Sequence, residues 1–128
     1  MLKLNKYLKE IGIDEKFWLF KDAKSGDERF LPDEDGFIEA EFWNLNDTLA
    51  MCIYSYLCYF KEHCNYCHPS YMTAEKWDKC LDDMITGFKL LIDPKNEESF
   101  NSIESKNRKK KINYGLRLFI KHLEALWF

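Results

Sequence analysis

Along this chain, segments in which apolar residues recur at the spacing of an α-helix are separated by polar stretches. The longest apolar block, residues 48–60 (TLAMCIYSYLCYF), contains thirteen residues without a formal charge. Its apolar side chains point in nearly every helical direction, which is typical of a helix inside a core or a membrane, and a membrane span needs roughly 20 residues. We therefore predict that residues 46–63 form the central hydrophobic helix of a core and are surrounded by their neighbours.

Helical spacing recurs in three further segments, and no segment shows a convincing strand alternation. The first segment, residues 2–11, stops at Gly12. The next begins at Thr73, a good N-cap, and stops at Pro94. The third covers residues 112–127. This pattern predicts an all-α, single-domain helical bundle over residues 1–128, with residues 1–35 as an N-terminal extension that either docks on the bundle or projects from it.

Residues 24–41 interrupt the helical pattern with Gly26, Pro32 and Gly36, and they carry seven acidic side chains. This composition predicts a loop. Its aromatic side chains either pack on the core or, together with the carboxylates, form a flexible anionic surface that docks on a basic partner. The candidate contact residues for such a partner are acidic: Asp33, Glu34, Asp35, Glu39 and Glu41.

Charge is distributed unevenly along the chain, although the net charge is only −3. Residues 1–51 contain 7 basic and 12 acidic side chains, whereas residues 95–128 contain 8 basic and 4 acidic ones. The basic run Arg108, Lys109, Lys110 and Lys111 is either a solvated helix face or a second contact surface, with Tyr114 near enough to stack on a nucleotide or nucleic acid. The overall acidity argues against nucleic acid as the main ligand.

Aromatic side chains make up 16% of the chain, enough for a stable core without metals or disulfides. The periodicity predicts that Trp43 and Trp77 belong to that core. The five cysteines are an odd number, and the amino terminus lacks the apolar stretch of a secretory signal. We therefore expect a cytosolic protein that carries no cofactor and does not associate with membranes.

Two sets of residues have the chemistry of metal ligands. Cys64, Cys67, His68 and Cys80 provide thiolates and an imidazole for tetrahedral zinc, but a second Cys-x-x-Cys or His pair is missing. Asp78 and Asp82 share one side of a helix and suit magnesium when a second helix supplies more carboxylates, as in all-helical nucleotide pyrophosphohydrolases. The facing carboxylates Glu97, Glu98 and Glu104 match that pattern poorly, so we predict no metal site.

Three pieces of the sequence together resemble a family of small proteins encoded in bacteriophage and prophage genomes, over about residues 36–128. The pieces are Gly36-Phe37 with Phe42-Trp43-Asn44-Leu45-Asn46 and Leu49-Ala50; Met72-Thr73-Ala74-Glu75-Lys76-Trp77-Asp78 with Leu81, Met84-Ile85 and Gly87-Phe88; and Gly115-Leu116-Arg117-Leu118-Phe119 with Leu126-Trp127. The resemblance implies a phage origin but no particular activity. The family's turn before the threonine reads His-Gly-Tyr-Pro or similar, so Cys67 and His68 are peculiar to this chain.

The chain contains no Gly-rich phosphate loop, no nucleophile elbow and no Ser/His/Asp arrangement. The leading hypothesis is therefore a non-enzymatic, phage-derived protein that binds a host or phage macromolecule in the host cytosol, with modulation of host defence as its expected role. Two alternatives stay open. One is a nucleotide-binding protein that uses the basic run, and the other is a magnesium-dependent all-α nucleotide hydrolase.

Overall fold

The computed structural model describes residues 2–19, 28–64, 67–93 and 103–127. Within these ranges four α-helices make up the bundle: α1 (Lys3–Glu10), α2 (Leu45–His63), α3 (Ala74–Ile92) and α4 (Ile103–Lys121). Short 3₁₀ turns lie at Glu15–Phe17, Glu28–Phe30, Glu39–Phe42 and Leu123–Ala125. The only β pairing within the described ranges is an isolated bridge between Pro32 and Ile38. The predicted all-α class is therefore confirmed.

Helix α3 lies between α2 and α4 and contacts both of them. It begins as predicted, because the Thr73 side chain accepts a hydrogen bond from the backbone N of Lys76 at 3.3 Å. Its buried face includes Trp77, Leu81 and Met84, which are almost completely removed from solvent. Pro94, the predicted stop, lies outside the described residues, as do residues 24–27 of the predicted loop and the Glu97–Glu98 pair.

Helix α2 has the predicted bounds to within one residue, but its neighbours cover only one of its faces. Ala50, Met51, Tyr54 and Leu57 are buried against α1 and α3. The opposite face, which includes Leu49, Tyr56 and Tyr59, is exposed to solvent. For the described part of the chain the expectation that α2 is surrounded is therefore wrong, because α4 packs mainly on α3 and reaches α2 only at the edge of a groove, through Phe119.

Two glycines set the close approach of α3 and α4. A Cβ atom added to Gly115 would lie 2.7 Å from the backbone O of Asp83 and 2.8 Å from the Cα of Gly87. Such distances leave no room for a side chain. Phe88 follows Gly87 in the chain, and its ring packs edge to face against the ring of Phe119, with the centroids 5.2 Å apart. The second and third pieces of the phage-family resemblance thus meet in one helix crossing.

The amino-terminal segment docks on the bundle, which the sequence left undecided. Tyr7 and Leu8 of α1 join the core, and the Tyr7 hydroxyl donates to Oε2 of Glu62 at 2.8 Å. The fully buried Asn5 holds the following segment, because its Nδ2 donates to the Leu19 O at 3.2 Å and its Oδ1 accepts from the Leu19 N at 2.8 Å. Both polar groups of a buried backbone unit are thereby satisfied.

We predict that Gly115→Ala lowers the free energy of unfolding by about 2–3 kcal/mol, because the new methyl group forces α3 and α4 apart. This loss outweighs the gain of roughly 1 kcal/mol that alanine brings to a helix interior. Urea unfolding measures the change. The control is Asn113→Ala, an exposed position of the same helix, which should change stability by no more than about 0.5 kcal/mol. Equal stabilities of the two variants would contradict the close crossing.

Candidate protein-binding surface

Residues 32–38 form a closed turn that the side chain of Asp33 organises. Its Oδ1 accepts hydrogen bonds from the backbone N of Asp35 and of Phe37, each at 2.9 Å, while the Asp33 N donates to the Phe37 O at 2.8 Å. Gly36 has a φ of +87°, a left-handed conformation that glycine adopts at little cost. Ile38 is buried and anchors the turn to the bundle. The described part of the predicted loop, residues 28–41, therefore contains a hydrogen-bonded turn between two 3₁₀ turns.

This turn presents aromatic side chains to solvent. Phe37 is 58% exposed and Phe42 is 53% exposed, and their ring centroids lie 5.9 Å apart. Together with the exposed Leu31 they line a groove with a volume of 600 Å³. The carboxylates of Asp33 and Glu39 line the same groove, together with Glu28 and Arg29, and Glu34 and Asp35 are exposed on the same turn. We call the whole set the acidic aromatic surface, and its members are Leu31, Asp33, Glu34, Asp35, Phe37, Glu39 and Phe42.

The aromatic residues of the loop were expected either to pack on the core or to face a partner, and the structure shows both kinds. Phe30 is partly covered, whereas Phe37 and Phe42 face solvent. Single exposed apolar residues are ordinary, but a pair of rings beside a third apolar side chain and four carboxylates is a feature of interaction sites. Four of the five predicted acidic contact residues belong to this surface. The fifth, Glu41, is partly buried and lines a separate pocket of 240 Å³ next to Trp43.

Trp43 lies on the surface, and its predicted place in the core is wrong. It is 48% exposed, and its ring contacts Phe30 edge to face at 5.6 Å between centroids. The guanidinium of Arg29 lies 5.1 Å from its ring centroid, within the range of a cation–π contact. The reason is that Trp43 ends the 3₁₀ turn before α2 begins. It therefore packs on the local chain and not along the buried face of the helix.

The second predicted contact surface lies on α4. Lys109 and Lys110 are exposed, Arg108 is partly buried, and the neighbouring Tyr114 is half exposed. The three basic side chains are consecutive, so they point to different sides of the helix. They form a basic stretch of α4 that is separate in the chain from the acidic aromatic surface.

The four zinc candidates do not form one site. Cys64 and Cys80 are buried, and this burial raises the pKa of each thiol, which disfavours the thiolate that binds zinc. Cys67 and His68 are exposed, and His68 Nδ1 lies 3.0 Å from the Pro69 O. Over the described ranges, no three His, Cys, Asp or Glu side chains come together as a metal site would require.

The two magnesium candidates share a lysine. Nζ of Lys61 on α2 pairs with Oδ1 of Asp82 and lies 3.8 Å from Oδ1 of Asp78. These carboxylates raise the pKa of Lys61, chiefly through the hydrogen bond to Asp82. The Lys61 ammonium group therefore neutralises Asp78 and Asp82, whereas a magnesium ion would need both carboxylates free. The role of Asp78 and Asp82 in this structure is to connect α3 to α2.

A buried histidine that the sequence reasoning missed lies at the end of α4. His122 is 5% exposed, its Nδ1 lies 3.0 Å from the Tyr71 hydroxyl, and the edge of its ring meets Trp77. These side chains border a groove with a volume of 690 Å³. Burial, reinforced by the charge of Lys121, lowers the pKa of His122 below its ordinary 6.5. No spacing signal marks His122, because its partners come from a distant turn.

The chain matches no protein-family model, and no curated protein or solved structure shows significant similarity to it. The resemblance to phage-encoded proteins therefore stays a prediction. Within the described residues, none of the helices combines the length and the apolar character that crossing a bilayer requires.

We predict that Trp77→Ala and Trp43→Ala differ sharply in stability, because Trp77 is only 3% exposed and Trp43 is a surface residue. Truncating the buried ring should lower the free energy of unfolding by about 3–5 kcal/mol, and truncating the exposed ring by about 1 kcal/mol or less. Urea unfolding of both variants measures the difference. A Trp43→Ala loss as large as that of Trp77→Ala would place both rings in the core.

We predict that protonation of His122 destabilises the fold in mild acid. Because its pKa is lower in the folded state than in the unfolded one, the unfolded chain binds the proton more readily, and stability falls as the pH drops below 6.5. Urea unfolding between pH 7 and pH 5 should therefore show a smaller pH dependence for His122→Asn than for the wild type.

The matched control for this pH series is His68→Asn, because His68 is exposed and its replacement should leave the pH dependence unchanged. A His122→Asn variant that keeps the full pH dependence would show that other groups cause it.

Proposed function

We propose that this protein binds a basic region of a partner protein through the acidic aromatic surface and has no catalytic activity of its own. The observation that carries the proposal is the exposed Phe37–Phe42 pair in a groove that the carboxylates of Asp33 and Glu39 also line. An apolar pair of this kind gains free energy when a partner covers it, since each buried aromatic side chain removes a large area from water.

The rim of the surface selects a basic partner. Asp33, Glu34, Asp35 and Glu39 lie within seven residues and are all exposed. Such a cluster attracts lysine and arginine side chains, speeds encounter with a positively charged partner and repels an acidic one. The rings then supply contact area at the centre, where aromatic residues contribute most to binding. Charge therefore sets the choice of partner, and the rings set the lifetime of the complex.

The order of the turn supports binding because it lowers the entropy lost when a partner docks. Two hydrogen bonds to Asp33 Oδ1, the left-handed Gly36 and the buried Ile38 hold the backbone before any partner arrives. A segment that is already ordered pays less on association than one that folds on binding. The Asp33 carboxylate thus acts as a support of the turn as well as a member of its acidic rim.

The setting of this function is part of the proposal. The resemblance to phage-encoded proteins supports a partner that is a host or phage protein in the cytosol of the host cell, and a role in modulating host defence. The basic stretch of α4 that contains Arg108, Lys109 and Lys110 provides further contacts for the same complex. The pairing of Lys61 with Asp78 and Asp82 speaks against the magnesium-dependent hydrolase.

The test is affinity purification from infected cells with quantitative mass spectrometry. The informative variant is Glu34→Lys/Asp35→Lys/Glu39→Lys, which reverses the rim but leaves Asp33 in place to hold the turn. We expect recovery of the specific partner to fall at least tenfold. Binding of that partner to the wild type should weaken as salt is raised, because exposed charges are screened within about 10 Å at 0.1 M.

The matched control is Glu10→Lys/Glu75→Lys/Glu124→Lys, which changes the net charge equally at exposed sites outside the turn. Equal recovery with both triple variants would contradict the proposal. The two alternative functions are tested by adding a panel of nucleotides to the protein, with and without magnesium. Thermal stabilisation by a nucleotide alone would favour the small-ligand alternative, and turnover would favour the hydrolase.

A further inference from the structure

The exposed face of α2 carries a regular pattern of its own. On its outer side, five exposed side chains and the partly buried Cys52 follow one another at intervals of 4, 3, 4, 3 and 4 residues along the helix. They are Leu45, Leu49, Cys52, Tyr56, Tyr59 and His63. This is the spacing of the a and d positions of a heptad, the spacing with which one helix packs along another.

The seam formed by these six residues lies directly opposite the buried face of α2. The buried residues Ala50, Tyr54 and Leu57 fall at the b and f positions of the same heptad. Among the described residues, the bundle core contacts the seam at Cys52, whereas the other five seam residues are exposed, Leu49 by 54% and Tyr56 by 61%. A groove of 590 Å³ runs beside the seam and is lined by Ile53, Phe60 and other apolar side chains.

The seam is symmetric about residue 54, the midpoint of α2. Two copies of the helix placed antiparallel about a twofold axis set Leu45 against His63, Leu49 against Tyr59, and Cys52 against Tyr56. Every layer thus pairs an aliphatic or small side chain with a ring, a large-to-small match that fills space across the interface. The antiparallel arrangement also places the positive end of each helix dipole beside the negative end of the other.

Size and charge agree with a second copy as the occupant. The half-exposed leucines and tyrosines, with Ile53 and Phe60, present about 500 Å² of apolar surface, taking 150–250 Å² for a whole aromatic side chain. Pairing would remove about 1,000 Å² in total, the size at which specific interfaces begin. None of the six seam residues is Asp, Glu, Lys or Arg, so pairing along the seam itself buries no formal charge.

From these observations we infer that the protein forms a homodimer by antiparallel pairing of the α2 seam. The interface is isologous, since residue 49 of one copy contacts residue 59 of the other and the reverse. It is distinct from the acidic aromatic surface, so the inference does not depend on the proposed function.

Sedimentation equilibrium of the full chain under reducing conditions tests the dimer. The wild type should sediment as a dimer at micromolar concentration. Leu49→Glu and Tyr59→Lys should each weaken the dimer at least tenfold, because each places an unpaired charge in the seam. Circular dichroism shows whether both variants fold, which their exposed positions favour. The control is Leu123→Glu, an exposed leucine outside α2, which should leave the dimer intact.

The double variant Leu49→Glu/Tyr59→Lys decides the direction of pairing. In the antiparallel dimer each introduced carboxylate faces an introduced ammonium, so the double variant should recover at least part of the dimer. Parallel pairing would set like charges against each other, and the double variant would then be the weakest of all. A folded wild type that stays monomeric, or a dimer that these substitutions do not weaken, would overturn the inference.

Discussion

The contact between Gly87 and Gly115 is the constraint on which the arrangement of the bundle depends. It lets the backbones of α3 and α4 touch, and it brings Phe88 onto Phe119. Helix α3 then has neighbours on two sides, with α4 held by the glycine crossing and α2 held by the face that carries Trp77, Leu81 and Met84. Because α4 packs on α3, it does not cover α2. The crossing of α3 and α4 thus leaves the seam of α2 exposed, although α2 is not part of that crossing.

The sequence predicted α1, α2 and α3 well because their signals are local, but it was wrong about the bounds of α4, which begins at Ile103 instead of residue 112 and ends at Lys121. Helical spacing, the Thr73 cap and the bounds of α2 depend on neighbours within a few residues. The sequence did not predict which helix lies in the middle. Hydrophobicity pointed to α2, whereas α3 is the helix with two covered sides. Its second side is closed by Gly87 and by the backbone at Asp83, and these groups carry no hydrophobic signal, so periodicity cannot find them.

The sequence predicted the acidic residues of the candidate site but not which aromatic residues accompany them. Clustered carboxylates between Pro32 and Glu41 marked an anionic loop, and four of the five acidic residues lie on one surface. Which aromatic residues face solvent depends on the closure of the turn by Asp33 and Gly36 and on the end of the 3₁₀ turn at Trp43. The metal candidates show the same limit, because Lys61 comes to Asp78 and Asp82 from another helix. Residue type suggested their chemistry, whereas the partners of these side chains are set by tertiary contacts that spacing does not reveal.

The two proposed surfaces are connected by geometry. The acidic aromatic surface precedes the amino terminus of α2, and α2 has 19 residues, about 28 Å at 1.5 Å per residue. An antiparallel pair therefore carries one acidic aromatic surface near each end of a shared rod, with both turns fixed relative to it. Two weak sites held at a fixed separation bind a partner with repeated basic regions far more tightly than one site does. A dimer of this kind would select its partner by the spacing of basic regions as well as by their charge.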